Sequence, residues 1–325
     1  MALSKAGRRV LITGARGFVG PYVVEALRHV CGKEAVLLAT AKEAGRHPTL
    51  GEVEGLDVTD KSAVTAAIAR IQPTYVVHLA GIAAPVHASA DPDLAWTVHV
   101  QGARNLAQAI LSKAPDCWLM HVGSGLVYGD SAKSGAALRE DTLLSPVDEY
   151  SVTKAAADLA LGAMVRKGLK CIRFRPFNHT GSGQGEDFVV PAFAKQIAMI
   201  EAGLAPPIIR VGNLEAERDF LDVRDVARSY ALAVQASTAM ASGTILNIAS
   251  GVPRRIETIL QLLLAKSAVS ISVDFDKSRL RPSDLPRIIG DASLAQRCLG
   301  WAPEHTFDDT LSMVLSDWRR RVVQG

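Results

Sequence analysis

Arg9-Val-Leu-Ile-Thr13 is a short apolar run that stops at Gly14. The next residues read Gly14-Ala-Arg-Gly17-Phe-Val-Gly20, and a helical pattern follows through Tyr22, Val23, Ala26 and Leu27. Strand, glycine turn and helix in that order narrow the fold more than any other stretch. Glycine lets the chain turn tightly and approach a ligand closely, and the helix it feeds offers backbone N–H groups to an anion. The spacing is G-x-x-G-x-x-G rather than the G-x-G-x-x-G of the standard dinucleotide turn. Its place between a strand and a helix favours a pyrophosphate-binding turn over a tight turn with no ligand. Gly14, Arg16, Gly17, Phe18 and Val19 are the first cofactor-binding candidates.

The same rhythm recurs. A second strand is expected at 35–39 and a third closing at Leu56-Asp57-Val58, with a helix over 61–71. Thr74-Tyr-Val-Val-His-Leu-Ala-Gly81 reads as a buried strand entering a small-residue turn, and 94–111 as a long helix. Strands at 117–122, 170–176 and 244–248 complete the series. Such alternation predicts an α/β fold, a Rossmann-type doubly wound parallel sheet whose strand C-termini share one crevice. Gly14, Asp57, Ala80, Ser124 and Asn178 fall at those ends. After 177 the rhythm breaks. A polar loop at 178–185, a helix over 188–202, irregular stretches at 210–214 and 218–222 and a charged loop at 279–286 suggest a smaller, interleaved unit. The expected division is a dinucleotide-binding domain at 1–177, to which 222–250 return, and a substrate domain at 178–221 and 251–325.

A site built for NAD usually carries an acid after the second strand, for the ribose diol. Here that position reads Ala39-Thr40-Ala41-Lys42, with Arg16 and Arg46 nearby, which suits the 2′-phosphate of NADP(H) over NAD(H).

Composition excludes several classes. The 33 acids and 36 bases nearly cancel, so nothing marks a nucleic-acid partner. The apolar runs are strand-length, which argues against a membrane span, and the N-terminus lacks the apolar core of a signal peptide. The four cysteines form no C-x-x-C pair, and no metal-ligand spacing is present. A reducing, cytoplasmic setting is the expectation.

Tyr150 and Lys154 stand four apart at the head of an Ala-rich helical pattern, so both can face one cleft. An ammonium there favours phenolate and is expected to draw the tyrosine pKa toward neutrality, which suits proton exchange with an alcohol or carbonyl oxygen. Alone, the spacing is far more often that of an ordinary exposed helix start.

Gly14-x-x-Gly17-x-x-Gly20, Asp57-Val58, His78-Leu-Ala80, Ser124-x-x-Val127-Tyr-Gly129, Tyr150-x-x-x-Lys154 and Arg175-Pro-Phe-Asn178 together resemble the extended short-chain dehydrogenase/reductases that modify nucleotide sugars. The run 175–184, with Phe188-Val-Val and 211–220, is similar to their GDP-mannose branch. The resemblance implies a Ser124–Tyr150–Lys154 catalytic set. It implies cofactor contacts from Asp57, Val58, Leu79, Ala80, Tyr150 and Lys154, besides those of the glycine turn. Ser124, Asn178, Val189, Lys195, Arg218, Arg281 and Asp284 are the substrate residues it implies, and a homodimer paired through the helices at 94–111 and 150–165 is the expected assembly. Arg218 and Arg281 read equally well as surface partners of nearby aspartates. The family's GDP-mannose dehydratases carry Glu two residues after the catalytic Ser/Thr; here that position is Leu126. His99 stands where the family usually has Asn. The implied activity is NADPH-dependent reduction of a GDP-linked 4-keto-6-deoxy sugar. Alternatives are a 4-epimerase that retains its NAD, a GDP-mannose 4,6-dehydratase and a non-catalytic dinucleotide sensor.

Overall fold

The computed structural model describes residues 7–280 and 285–324. The first half alternates as the periodicity predicts: β1 (Arg9–Thr13), α1 (Gly20–Cys31), β2 (Val36–Ala41), β3 (Gly45–His47), β4 (Gly51–Gly55), α2 (Lys61–Ile71), β5 (Tyr75–His78), α3 (Pro85–Ala90), α4 (Pro92–Trp96), α5 (Gly102–Lys113), β6 (Trp118–Val122), α6 (Glu149–Val165) and β7 (Lys170–Pro176). The second half holds β8 (Asn178–Thr180), α7 (Val189–Glu201), β9 (Ile208–Val211), β10 (Glu217–Asp222), α8 (Val223–Ala236), β11 (Ile245–Ile248), β12 (Pro253–Arg255), α9 (Ile256–Leu264), β13 (Ser272–Phe275), β14 (Arg287–Ile288), α10 (Ser293–Leu299) and α11 (Phe307–Gln324).

Eight strands form one sheet in the order β11-β7-β6-β5-β1-β2-β4-β3, parallel throughout except for β3. The chain leaves β1 toward β2 on one side and later toward β5 on the other. The carboxyl ends of β1 and β5 thus flank the switch point where an α/β sheet opens a crevice. Both faces are covered. Val23 and Leu27 of α1, Val226 and Tyr230 of α8 and Trp301 pack on one face; Val64 and Ile68 of α2, Leu106 and Ile110 of α5 and Leu161 of α6 pack on the other. At about 25 cal/mol per Å², burial of this kind is what holds such layers together.

Local chemistry sets the helix starts. Asp60 accepts N–H bonds from Ser62 and Ala63 to begin α2. Asp148 and Ser151 bond reciprocally in a capping box and begin α6, which fixes where Tyr150 sits. Three expectations are corrected. The strand expected to close at Leu56-Asp57-Val58 is β4, Gly51–Gly55, with those three residues in the turn after it; its glutamates face water near the sheet margin, so no apolar run marked it. The stretches near 210–214 and 218–222 are not irregular but contain β9 and β10, which pair with β13 and with β8, β12 and β14. The helix expected over 94–111 is interrupted by a π turn, Thr97–Gln101, that joins α4 to α5. A third core, with Phe193, Ile197, Phe220, Ile259, Phe307 and Trp318, lies among α7, α9, α11 and β10.

Candidate active site

The turn after β1 is built for close approach. Gly14 has φ +68°, and a Cβ there would lie 2.6 Å from the Ala80 backbone, so no larger residue lets the turn after β1 meet the turn after β5. Backbone bonds from Gly17 to Gly14 and from Gly20 to Gly17 wind the loop into α1. That helix has no side-chain cap and no acid in its first turn, which leaves its N-terminus fit for an anionic group such as a dinucleotide pyrophosphate. Phe18 stacks on His179 with ring centroids 6.2 Å apart, and Val19 is the N-cap of α1. Leu79 donates to the Thr13 carbonyl and Ala80 to Thr13 Oγ1, holding the two turns in register.

Asp57 accepts from Thr59 N at 2.9 Å and Thr59 Oγ1 at 2.7 Å, and these bonds hold its carboxyl below the usual range. Val58 is buried, and its carbonyl accepts from Asn105. Lys42 lies 3.8 Å from Asp57 at the surface, and Arg46 is registered opposite Glu52. The Arg16 guanidinium reaches toward Gly45 of β3. Of the three cations expected near a ribose phosphate, Lys42 is thus engaged by an acid and Arg46 faces one.

Ser124, Tyr150 and Lys154 converge at the carboxyl end of β6. All three are buried, and the Ser124 side chain lies beside the Tyr150 phenol and favours its ionised form. Ser124 Oγ also accepts from Leu126 N at 3.1 Å, which fixes its rotamer at the start of the 3₁₀ segment Gly125–Ser134. Lys154 Nζ donates to the Val122 carbonyl at 3.2 Å and lies 6.0 Å from the Tyr150 ring centroid. Burial pushes the phenol up to about 12, against the Ser124 hydrogen bond, and Asp148 adds to the rise. Burial also brings the lysine down to about 8. The expected drift of Tyr150 toward neutrality is therefore not seen: exclusion of water dominates, and Lys154 is not among the groups that move the phenol. A phenol that keeps its proton at neutral pH is a donor.

His99 occupies the π turn behind these groups. Its Nε2 accepts from Ile82 N at 2.9 Å, so the tautomer assigned from the bonding places the proton on Nδ1, 2.8 Å from Thr153 Oγ1. The ring meets Tyr150 edge-on at 5.7 Å, and burial holds it neutral, down to about 3. A Cβ on Gly81 would lie 3.3 Å from both His99 and Lys154 Nζ. Beneath, His78 bonds Thr13 Oγ1 at 2.8 Å, and the His121 ring lies 5.6 Å from it with neither nitrogen paired. Motif spacing did not single out Thr153, Ile82, His121 or His179, because the chain path alone brings them to the site.

The substrate-side residues are more scattered. Asn178 opens β8, registered against Phe220, and Val189 begins α7. Lys195 is held by Glu186 at 2.6 Å and lies over Trp318 of α11. Arg218 donates to the Glu217 carbonyl on β10. Arg281 and Asp284 lie outside the described residues. Among the described residues no helix is long and apolar enough to cross a membrane, and no group of three or more His, Cys, Asp or Glu is arranged to hold a metal ion.

The GDP-mannose 4,6 dehydratase family matches residues 11–314. The chain belongs to that family. A family relative, GDP-6-deoxy-D-mannose reductase from Pseudomonas aeruginosa, is 30% identical over 316 residues, 97% of this chain and 98% of that one. GDP-6-deoxy-D-talose 4-dehydrogenase from Aggregatibacter actinomycetemcomitans is 25% identical over 325 residues, 97% of this chain and 99% of that one. Among solved structures, RMD from Pseudomonas aeruginosa complexed with NADPH is similar at a TM-score of 0.83 and 28% identity, with 97% and 99% of the two chains covered. Within this GDP-mannose dehydratase family the present chain has no acid in Gly125-Leu126. A Cβ at Gly125 would sit 2.9 Å from the Phe177 ring, so that position has no room for one.

Proposed function

We propose that this chain reduces the 4-keto group of a GDP-linked 4-keto-6-deoxy-mannose with NADPH, forming GDP-D-rhamnose. The observation that carries the reading is the buried convergence of Ser124, Tyr150 and Lys154, with no titratable side chain at positions 125 and 126. NADPH, when bound, supplies the hydride. Tyr150 gives its proton to the C4 oxygen as charge grows there, and Ser124 hydrogen-bonds the same oxygen. Lys154 holds a positive charge beside the phenolate that is left and is positioned by the Val122 carbonyl. The turn of Gly14, Gly17 and Gly20 with the N-terminus of α1 would hold the pyrophosphate, and Arg16 the 2′-phosphate; NAD(H) is the weaker cofactor on this reading.

Elements at 178–221 and 251–325 form the substrate-binding part, with 1–177 and 222–250 the dinucleotide-binding part. Asn178, Val189, Lys195 and Arg218 belong to the first, and so do Arg281 and Asp284 by motif. The working compartment is the cytoplasm, in keeping with four unpaired cysteines. The test is incubation with GDP-4-keto-6-deoxy-mannose and NADPH, with the product's C4 configuration read by NMR. NADPH oxidation with the rhamno product is expected. Failure to oxidise NADPH, or the 6-deoxy-talo product, would sink the assignment.

A further inference from the structure

The loop at 178–185 touches the glycine turn on one side and the substrate elements on the other. Phe18 in that turn and Tyr22 in the first turn of α1 meet edge-on, with ring centroids 5.9 Å apart. Both are turned to the loop. The Phe18 ring lies nearly parallel to that of His179, 9° between the planes. The Tyr22 hydroxyl donates to the Ser182 carbonyl at 2.7 Å. A Cβ on Gly183 would lie 3.8 Å from both the Phe18 ring and the Arg321 guanidinium, so the turn and α11 meet across this glycine.

His179 also reaches toward the reacting end. Its Nδ1 is 3.0 Å from the Phe177 carbonyl, which can only accept, so the bonding assigns the proton to Nδ1. The Phe177 ring abuts Gly125, next to Ser124. The far end of the loop is tied to α11. Gly183 N donates to Asp317 at 2.9 Å, and Arg321 donates to the Gln184 carbonyl at 3.2 Å while paired with Asp317. Arg321 lies over Trp318, the ring that also carries Lys195. Inside the loop, Thr180 donates to the Gln184 side chain, whose amide donates to the His179 carbonyl. These cross-links make the segment one piece rather than a string of independent residues.

An anion at the uncapped start of α1 satisfies N–H groups there and fixes the turn that carries Phe18. Through the stack, that order passes to His179 and on to Phe177 and α11. A second ligand then meets a segment already ordered and loses less freedom on binding. Such coupling is reciprocal.

We propose that His179 is a positioning residue through which a bound dinucleotide orders the loop 178–185, so that dinucleotide and nucleotide sugar bind cooperatively. This rests on the dinucleotide and nucleotide-sugar reading of the site. The experiment measures GDP affinity with and without saturating NADP⁺, and NADP⁺ affinity with and without GDP. The proteins are the wild type, His179→Leu, His179→Asn and Tyr22→Phe. Hydrogen–deuterium exchange of peptides spanning 178–185 is followed with NADP⁺ alone. In the wild type each ligand is expected to tighten the other by about five- to tenfold. His179→Leu should bring that factor close to one while each ligand alone binds within about threefold of the wild type. His179→Asn, which keeps an N–H donor, should recover part of the factor, and Tyr22→Phe should lower it. NADP⁺ alone should slow exchange across 178–185 in the wild type and not in His179→Leu. A factor of one in the wild type overturns the proposal, and so does a factor that survives His179→Leu. So does a loss of both single affinities together with a lowered Tm, which would make His179 a folding residue. If GDP does not bind, the GDP reading fails and the exchange measurement alone decides: unchanged exchange with NADP⁺ overturns the role of His179, and slowed exchange that His179→Leu abolishes upholds it.

Discussion

Tyr150, its phenol raised by burial to about 12, carries its proton at neutral pH. Replacing it with Phe removes the proton but keeps the ring against His99. Activity is expected to fall about 10²- to 10⁴-fold with NADPH affinity nearly unchanged, measured by steady-state kinetics and cofactor titration. Near-normal turnover would remove Tyr150 from the mechanism. Lys154, brought down by burial to about 8, is charged below that pH and neutral above it. We expect kcat/KM to fall as pH rises through about 8, and Lys154→Arg to move that limb upward, because the guanidinium keeps its proton. The stability sign is opposite: between about pH 8 and the ordinary lysine range the unfolded chain binds a proton that the folded one does not, so the free protein gains stability as pH rises there. Urea midpoints across that range check it. The residue types and their spacing were legible in the sequence. The tyrosine's pKa was not, because it depends on how far α6, the π turn and the turn after β5 exclude water, and no spacing reports that.

At the scale of elements, helices with caps and strands buried on both faces announced themselves. Asp60 marks the start of α2, and the run of β7 has its observed ends. β4, β9 and β10 did not: β4 and β9 are short and carry charge on their solvent side, and β10 buries Asp219 and Asp222 among its apolar residues, so polarity masked the pattern. The π turn at 97–101 adds nothing to the apolar periodicity that would separate it from a plain helix; it shows only as His99 turned toward Ile82 and Thr153. The 3₁₀ segment after Ser124 has a functional consequence. Dehydration of GDP-mannose needs proton transfer at C5 and at the C6 hydroxyl, away from the C4 oxygen. Gly125 is closed by Phe177, and Leu126 cannot titrate. GDP-mannose with NADP⁺ is therefore expected to give no appreciable 4-keto-6-deoxy product. Mass spectrometry reads this as the absence of a species lighter by one water, and robust loss of that water would place the missing acid elsewhere in the crevice.

Taken whole, the molecule keeps apolar side chains exposed along the helices that a family dimer would use: Leu94 at 43%, Trp96 at 41% and Leu159 at 61%. We expect a homodimer in sedimentation, and Leu159→Asp to shift it toward monomer with NADPH binding retained; a monomeric wild type would refute the pairing. The chain also moves back and forth between its sheets, from β7 to β8, back through α8 and β11, out to β12 and β14, and back through α10. Met120, Ile172 and Phe174 are covered by Val226, Tyr230, Leu246 and Trp301, which arrive only after the smaller sheet has begun. A fragment ending at Pro176 would therefore leave that sheet face open to water. An exchange of the first 176 residues for those of another chain would have to re-form this face against Val226, Tyr230 and Trp301. Substitutions within the existing strands and loops leave that shared face intact, which makes them the route of least disturbance for such a chain.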